Sequence, residues 1–186
     1  MIRDKSRAHW FGASDSSMIM GNWNTESFRK WWAVKLGAIT TPGWTTPEMQ
    51  AGTYHEHAIL SAIGIRRTDR QIRIRRFRLR VNLDGEDRNT VYEVKTTGKS
   101  AFKLSKAYWM QTQVEMWATH KQCVVITYRL TEEDYRNYFL PIDPDRVGKI
   151  PVAYDAEWIR DQYLPRVKFL ARCLRKGTAP WVETAA

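Results

Sequence analysis

The 186-residue chain is 43% hydrophobic and 12% aromatic, a composition that supplies a core and argues against global disorder. The length fits a single domain over residues 1–186. A formal net charge of +10 favours a polyanionic partner such as nucleic acid, and a basic protein without such a partner is the alternative. Two cysteines without a CxxC pattern argue against a zinc knuckle and a disulfide framework.

Membrane association and secretion are not expected. No apolar run approaches the roughly 20 residues that span a bilayer. The first ten residues lack the apolar segment of a signal peptide. We therefore expect no membrane partner and a cytoplasmic location.

Two amphipathic helices are predicted in the first third of the chain. Residues 27–36 form one helix, which Gly37 ends. Residues 47–63 form the next, with Thr46 as its N-cap and Gly64 at its end.

The middle of the chain changes to a period of two. Residues 71–84 alternate apolar side chains with arginine, which predicts a strand. The alternation slips at Arg75 and Arg76, which indicates a bulge or a short turn there. After a further turn, residues 90–96 form a second strand, antiparallel to the first.

The remaining elements are a helix over 103–119, strands over 123–130 and 135–142, and a last helix over 157–176 with a kink at Pro165. This order predicts an α/β fold in which a mixed central β-sheet is flanked by α-helices.

The predicted hairpin carries charged groups on one face. Side chains alternate across a strand, so Glu93 and Lys95 share a face while Val94 packs into the core. Asp84 ends the preceding strand, where Gly85 lets the chain turn. Two carboxylates near a sheet edge repel each other unless a cation joins them. Mg²⁺ binds such oxygen ligands together with substrate phosphate, and a neighbouring lysine is typical of metal-assisted phosphodiester hydrolysis.

The same pattern also arises by chance in a chain with 27% charged residues. Glu86 and Asp87 are alternatives to Asp84 as the first carboxylate. Both lie inside the predicted turn, whereas Asp84 closes the alternation of the strand. We therefore prefer Asp84 and assign the other two side chains to solvent.

Two stretches before the hairpin carry polar groups that fit the same chemistry. Arg7 and Ser14 precede a predicted helix start and together could hold a phosphate, or Ser14 is only an N-cap. Glu56 follows Gly52 by four residues, and a glycine inside a helix indicates close packing at that point. The alternative for Glu56 is a solvated helical glutamate.

One stretch after the hairpin adds a glutamine. Tyr108, Gln111 and Glu115 fall on one face of the predicted helix. A glutamine in an apolar, aromatic helix is either an active-site group or an exposed side chain.

Taken together and in this order, these stretches resemble the lambda-exonuclease/YqaJ family of phage recombination nucleases, in the PD-(D/E)XK nuclease superfamily. The resemblance runs from Arg7 to Trp117. The pieces that carry it are Arg7-x6-Ser14 with GASD, Gly52-x3-Glu56, Asp84-Gly85, Glu93-x-Lys95, and AYWMQTQVEMW with Gln111 and Gln113.

The resemblance implies a PD-(D/E)XK core and Mg²⁺ as the cofactor, with Mn²⁺ as a substitute. It also implies a role for each matching residue. The metal ligands are Asp84, Glu93, the backbone carbonyl of Val94 and Glu56; Lys95 and Gln111 complete the catalytic set; Arg7 and Ser14 hold the 5′-phosphate of a DNA end.

Members of this family digest the 5′ strand of linear duplex DNA and leave a 3′ single strand for a partner annealing protein, and several are ring trimers. The resemblance therefore implies a 5′-to-3′ exonuclease acting at double-stranded DNA ends in phage-type recombination. Its location is then the host-cell cytoplasm if it is phage-encoded. The alternatives are an endonuclease that cuts internal or branched DNA, and a non-catalytic basic DNA-binding protein.

Eight arginines crowd into residues 66–80. The alternation places Arg78, Arg80 and Asn82 on the strand face that ends at Asp84. We expect this face to carry a track of DNA phosphates towards the metal. A solvated strand face, or a sheet edge protected by its charges, is the alternative.

Overall fold

The structure, a computed structural model, describes residues 8–40 and 46–181. Five strands and six α-helices lie in these ranges, together with short helical turns. In chain order they are α1 Ser16–Met20, α2 Glu26–Leu36, α3 Pro47–Ala62, β1 Arg67–Ile74, β2 Leu79–Glu86, β3 Thr90–Thr97, α4 Lys106–Thr119, β4 Gln122–Arg129, α5 Glu132–Arg136, β5 Val147–Val152 and α6 Leu164–Lys176.

The strands form one mixed sheet in the order β1-β2-β3-β4-β5. Neighbouring strands are antiparallel except β3 and β4, which are parallel and are connected through α4. A parallel pair needs such a crossover because both strands run in the same direction. The predicted mixed sheet flanked by helices is confirmed.

Two hydrophobic clusters lie on opposite faces of the sheet. One contains Leu79, Val81 and Val91 of the sheet together with side chains of α4 and α6. The other contains Val94 and Ile126, with side chains of α3. Since side chains alternate along a strand, the separation of Val91 from Val94 on β3 gives each face its own layer of helices.

The predicted ends of the first helices are confirmed. Thr46 Oγ1 accepts a hydrogen bond from Met49 N at 3.2 Å and caps α3. Gly37 ends α2 in the left-handed conformation, with φ at 76°. The mid-helix Gly52 allows a close approach, because a Cβ there would lie 3.0 Å from Thr96 Oγ1 on β3.

One prediction about the hairpin is confirmed and one changes. The slip in alternation is a short turn as predicted, the 3₁₀ turn Arg75–Phe77, and it separates the antiparallel strands β1 and β2. Gly85 does not begin the turn, because β2 continues to Glu86. A Cβ on Gly85 would lie 2.8 Å from Leu60 Cδ2, so this glycine lets α3 approach the sheet.

The predicted strand over 135–142 is wrong. The chain there ends the short helix α5 and continues as a loop, and the fifth strand is Val147–Val152. Tyr135, Tyr138 and Ile142 pack against the α3 side of the core without joining the sheet. Their apolar spacing therefore reflects burial under a loop rather than strand pairing.

The last helix agrees with prediction at its end, where Gly177 has φ of 67°. Its first part is a π-helical turn, Trp158–Tyr163, and Pro165 lies in the first turn of α6. Within the described ranges, no helix is long and apolar enough to cross a membrane.

Candidate active site

The ladder between β2 and β3 is short, and the predicted site lies where it ends. Only Gly85–Tyr92 and Glu86–Val91 are paired between these two strands. At the next position Asp84 Oδ2 accepts a hydrogen bond from Val94 N at 2.8 Å. The Asp84 carboxylate thus takes the place of a backbone partner for Val94 N. Strands β2 and β3 separate at this point, and the gap between them, beside Glu93 and Lys95, is called the fork.

Glu93 is the centre of a buried polar cluster. The side chain is 2% exposed. Its Oε1 accepts from Lys95 Nζ and, at 2.6 Å, from Gln111 Nε2 of α4. Its Oε2 is buried and has no hydrogen-bond partner among the described residues. A buried carboxylate oxygen without a partner is costly unless a further group occupies that side.

Glu115 belongs to this cluster and was missed as a site residue. Gln111 Nε2 also donates to Glu115 Oε1 at 2.9 Å, and Glu115 is 1% exposed. The spacing of four residues on one helical face was visible in the sequence. The signal in the sequence was an acidic residue one helical turn after a glutamine, on the same face of the helix.

The carboxyls of the cluster repel one another. Burial, followed by the charge of Glu93, raises the pKa of Asp84 and of Glu115 well above their ordinary values. Burial and Glu93 also raise the pKa of Glu56. Burial alone would lower the pKa of Lys95, but Glu93 and Asp84 raise it, so Lys95 carries its charge at neutral pH.

The donor set fits a hard divalent cation. Four carboxyl groups face a single lysine, so the cluster has an excess of negative charge. All free donors are oxygens, and Glu93 Oε2 faces no protein donor in the described structure. Mg²⁺ and Mn²⁺ prefer such ligands. The charge of Glu93 helps to raise the pKa of both Asp84 and Glu56, so these three carboxyls lie near one another.

Glu56 has a second set of neighbours. Its carboxylate lies within 4.8 Å of ligand atoms of His57 and Asp69, and His57 Nε2 is 3.1 Å from Asp69 Oδ2. The half-buried Glu56 of α3 therefore lies near Glu93 on one side and near Asp69 of β1 on the other.

The turn that carries Ser14 is fixed against the first residues of β2. Phe11 N donates to Arg78 O at 2.7 Å, and Arg80 N donates to Phe11 O at 2.8 Å. Residue 11 thereby pairs with the start of β2. Asp15 accepts from Gly12 N, from Trp31 Nε1 and from the buried Lys35. These bonds occupy Asp15 and leave Ser14 exposed. Arg7 lies outside the described residues.

The predicted arginine face is not formed as expected. Arg78 precedes β2 with φ of 52° and lies 5.8 Å from the ring of Trp10, so it does not share the strand's alternation. Arg80 is only 7% exposed. The two guanidinium groups therefore do not form one exposed track, because Arg78 leaves the 3₁₀ turn in the left-handed conformation before β2 begins and Arg80 is buried.

The assignment of Glu86 to solvent is wrong. Glu86 is 2% exposed, and its carboxylate pairs with Lys121 at 2.5 Å, Arg70 at 3.0 Å and Arg67 at 3.1 Å. Asp87 accepts from the backbone of the turn and from Tyr92. Both acids are occupied by structural contacts, which leaves Asp84 as the acid that faces Glu93.

Comparison of the structure with solved structures finds exonucleases. An alkaline exonuclease (LHK-Exo) from Laribacter hongkongensis matches with a TM-score of 0.63 and 18% identity, over 92% of this chain and 94% of the other. Its complex with dAMP matches with a TM-score of 0.65 and 20% identity, over 92% and 90%. A phage-related exonuclease from Haemophilus somnus 129PT matches with a TM-score of 0.61 and 15% identity, over 91% and 96%.

The chain has the fold of these exonucleases. Sequence comparison alone finds neither a matching family model nor a matching curated protein. The structural likeness covers about nine tenths of the chain, so it extends beyond Trp117, where the sequence resemblance stops.

Proposed function

We propose that the protein is a divalent-metal-dependent deoxyribonuclease of the PD-(D/E)XK type that degrades linear duplex DNA from its ends. The observation that carries the proposal is the buried Oε2 of Glu93, which has no hydrogen-bond partner in the described ranges and lies in a fork between Asp84 and Lys95. The fold shared with solved exonucleases supports it.

The metal ligands in this proposal are Asp84, Glu93, Glu56 and the carbonyl of Val94. These residues would hold Mg²⁺ or Mn²⁺, which when bound would supply activation of water and neutralisation of charge on the scissile phosphate. Glu93 also holds Lys95 and Gln111 in place through its Oε1. In this proposal Glu93 Oε1 holds Lys95 and Gln111, and Glu93 Oε2 faces the cation.

Lys95 acts on the phosphate, and Gln111 positions Glu93. Because Glu93 and Asp84 raise the pKa of Lys95, the lysine stays protonated and opposes the negative charge that develops on the phosphate. Gln111 donates to Glu93 and to Glu115, so its amide keeps two carboxylates apart and fixes the orientation of Glu93.

The 5′-to-3′ polarity in this proposal rests on the resemblance, which implies that Ser14 and Arg7 hold the DNA end. The exposed Ser14 lies in a turn that packs against β2 and α4. With Arg7 it would hold a 5′-phosphate, so the 5′ strand is digested and a 3′ single strand remains. That strand suits a single-strand annealing protein. Assembly as a ring trimer, and action in a host-cell cytoplasm during phage-type recombination, belong to the same proposal.

The experiment compares three substrates in Mg²⁺: a linear duplex labelled at the 5′ end, the same duplex labelled at the 3′ end, and a covalently closed circle. Early release of the 5′ label as a mononucleotide, with the circle untouched, is expected. Cutting of the circle would assign the protein to the endonucleases. Binding of the duplex without any cleavage in Mg²⁺ or Mn²⁺ would assign it to the non-catalytic DNA-binding proteins.

A further inference from the structure

A second cavity lies on the catalytic face of the sheet, beyond Lys95. Its volume is about 290 Å³. The floor is formed by Thr97, Thr127 and Gly148, and the walls include Lys99, Phe102 and Arg129. None of these residues belongs to the carboxylate cluster described above.

The strand register places this cavity beside the catalytic lysine. Lys95 pairs with Thr127 and Thr97 pairs with Arg129 across the parallel strands β3 and β4. Paired residues share a face, so these side chains project on the side of the sheet that carries Glu93 and Lys95. Thr97 lies two residues beyond Lys95, which is about 7 Å along the strand.

An aromatic pair connects the wall of the cavity to the site. Phe102 stacks on Tyr108 with a centroid distance of 6.1 Å and an interplanar angle of 10°. Lys95 Nζ lies 4.9 Å from the centroid of the Tyr108 ring. The cavity therefore continues the catalytic cleft along the sheet rather than forming a separate pocket.

The charge of the cavity fits one phosphate group. Lys99 and Arg129 are exposed, and their side chains form no ion pair within the described part of the chain. Arg146 is paired with Asp134 at 2.5 Å and lies over Tyr128, so its charge is used in the fold. Asp145 is the one carboxylate in the lining. Two available cations and one carboxylate leave a net positive charge, and the hydroxyls of Thr97, Ser100 and Thr127 add hydrogen-bond donors.

We infer that this cavity binds the phosphodiester linkage on the 3′ side of the scissile bond, in the strand that is degraded. This inference rests on the proposed function. The Ser14 turn packs on β2 and α4, the fork lies between β2 and β3, and the cavity extends over β3, β4 and β5. A strand held by its 5′ end near Ser14 passes the fork and reaches Lys99 and Arg129 with its next phosphate.

The test uses 5′-phosphorylated duplexes in which one linkage is replaced by an uncharged methylphosphonate, at the first, second or third position from the 5′ end. Affinity is measured in Ca²⁺, with the DNA checked to be intact. Neutralising the second linkage should weaken binding by wild-type protein about 5- to 10-fold, the loss expected for one charge-assisted contact. The double variant Lys99→Ala/Arg129→Ala should bind the unmodified duplex about as weakly as wild type binds the duplex neutralised at the second linkage. Neutralising that linkage should then weaken binding by the variant little further.

The matched control is Lys149→Ala. Lys149 follows Gly148 on β5 but pairs with Ile126, whose side chain lies in the cluster on the α3 side of the sheet. The control should behave as wild type. The inference is overturned if the double variant binds unmodified duplex as tightly as wild type. It is also overturned if neutralising the second linkage costs the variant as much as it costs wild type, or if Lys149→Ala has the same effect.

The inference and the proposed function fail in different ways. Wild-type protein that shows the linkage-specific loss but cleaves no DNA in Mg²⁺ or Mn²⁺ contradicts the proposed nuclease and keeps the phosphate subsite. Protein that degrades DNA without any linkage-specific loss keeps the nuclease and removes the subsite. Wild-type protein that binds no duplex overturns both. Thermal melting of each variant checks that these exposed substitutions leave the fold intact.

Discussion

The backbone N–H of Val94 donates to Asp84 Oδ2 at 2.8 Å. This hydrogen bond ties a carboxylate of β2 to the strand that carries Glu93 and Lys95, at the position where the two strands separate. Asp84 therefore has a structural role, because one oxygen maintains the fork, and in the proposed function its charge would also help to hold the cation.

The substitution Asp84→Asn separates these two roles. Asparagine keeps an acceptor for Val94 N but removes the charge, so DNA cleavage should fall at least about 100-fold. The melting temperature in EDTA should not fall, because removing a buried carboxyl relieves its repulsion with Glu93. Initial cleavage rates and melting curves are the measurements. The exposed Glu133→Gln serves as control, and cleavage by Asp84→Asn at the control's rate would contradict the assignment.

Metal binding should stabilise the protein more at high pH than at low pH. The folded-state pKa values of Asp84 and Glu115 are raised. The stability that such groups contribute is complete below their unfolded pKa and is lost as the pH rises through the folded pKa. At high pH the free energy of unfolding of the metal-free protein is therefore lowered by ionised carboxyls, whose charge a bound cation would neutralise.

We expect saturating Mn²⁺ to raise the melting temperature on the order of 5 °C at pH 8 relative to EDTA, and clearly less at pH 5. Melting in EDTA and in Mn²⁺ at both pH values measures the difference. The variant Glu93→Gln should show little rise at either pH. An equal rise at both pH values in wild type would contradict the account.

Glu115→Gln should weaken the metal site without removing it. Glutamine keeps an acceptor for Gln111 but removes a carboxyl whose negative charge attracts a nearby cation. The apparent metal affinity should fall about 10-fold, as for groups that orient metal ligands, while the rate at saturating metal changes little. Titration of activity with Mn²⁺ measures this, and an unchanged midpoint would show that Glu115 has no influence on the site.

Gly85→Ala tests the contact between α3 and the sheet. A Cβ there would lie 2.8 Å from Leu60 Cδ2 and 3.1 Å from Ile65 Cγ2. We expect the free energy of unfolding to fall by about 1–3 kcal/mol, the usual cost of overpacking. Gly12→Ala is the matched control, since its nearest contact would be 3.4 Å. Chemical denaturation of both variants gives the comparison, and equal stabilities would contradict the packing role.

The sequence predicted those parts of the site that depend on a local period. Alternation along β3 places Glu93 and Lys95 on one face, and the end of the arginine alternation selects Asp84. Helical spacing likewise pairs Gln111 with Glu115. In these cases the chain's own repeat determines which side chains lie together.

The parts that failed depend on contacts between distant elements. Glu86 was assigned to solvent because its partners Arg67, Arg70 and Lys121 come from β1 and from the segment after α4. The apolar spacing of residues 135–142 predicts a strand, but burial under a loop gives the same spacing as sheet pairing. Neither the ion pairs of Glu86 nor the loop over residues 135–142 can be recognised from the spacing of neighbouring residues in the sequence.

The most direct test of the account is the release of nucleotides from a linear duplex in Mg²⁺ by wild-type protein and by Glu93→Gln, side by side. Glutamine keeps the size of the side chain and removes the charge that would hold the cation. Wild type should degrade the duplex, should stop on addition of EDTA, and should exceed the variant at least about 100-fold in rate. Equal rates for the two proteins, or degradation by wild type that persists in EDTA, would contradict the metal-dependent nuclease.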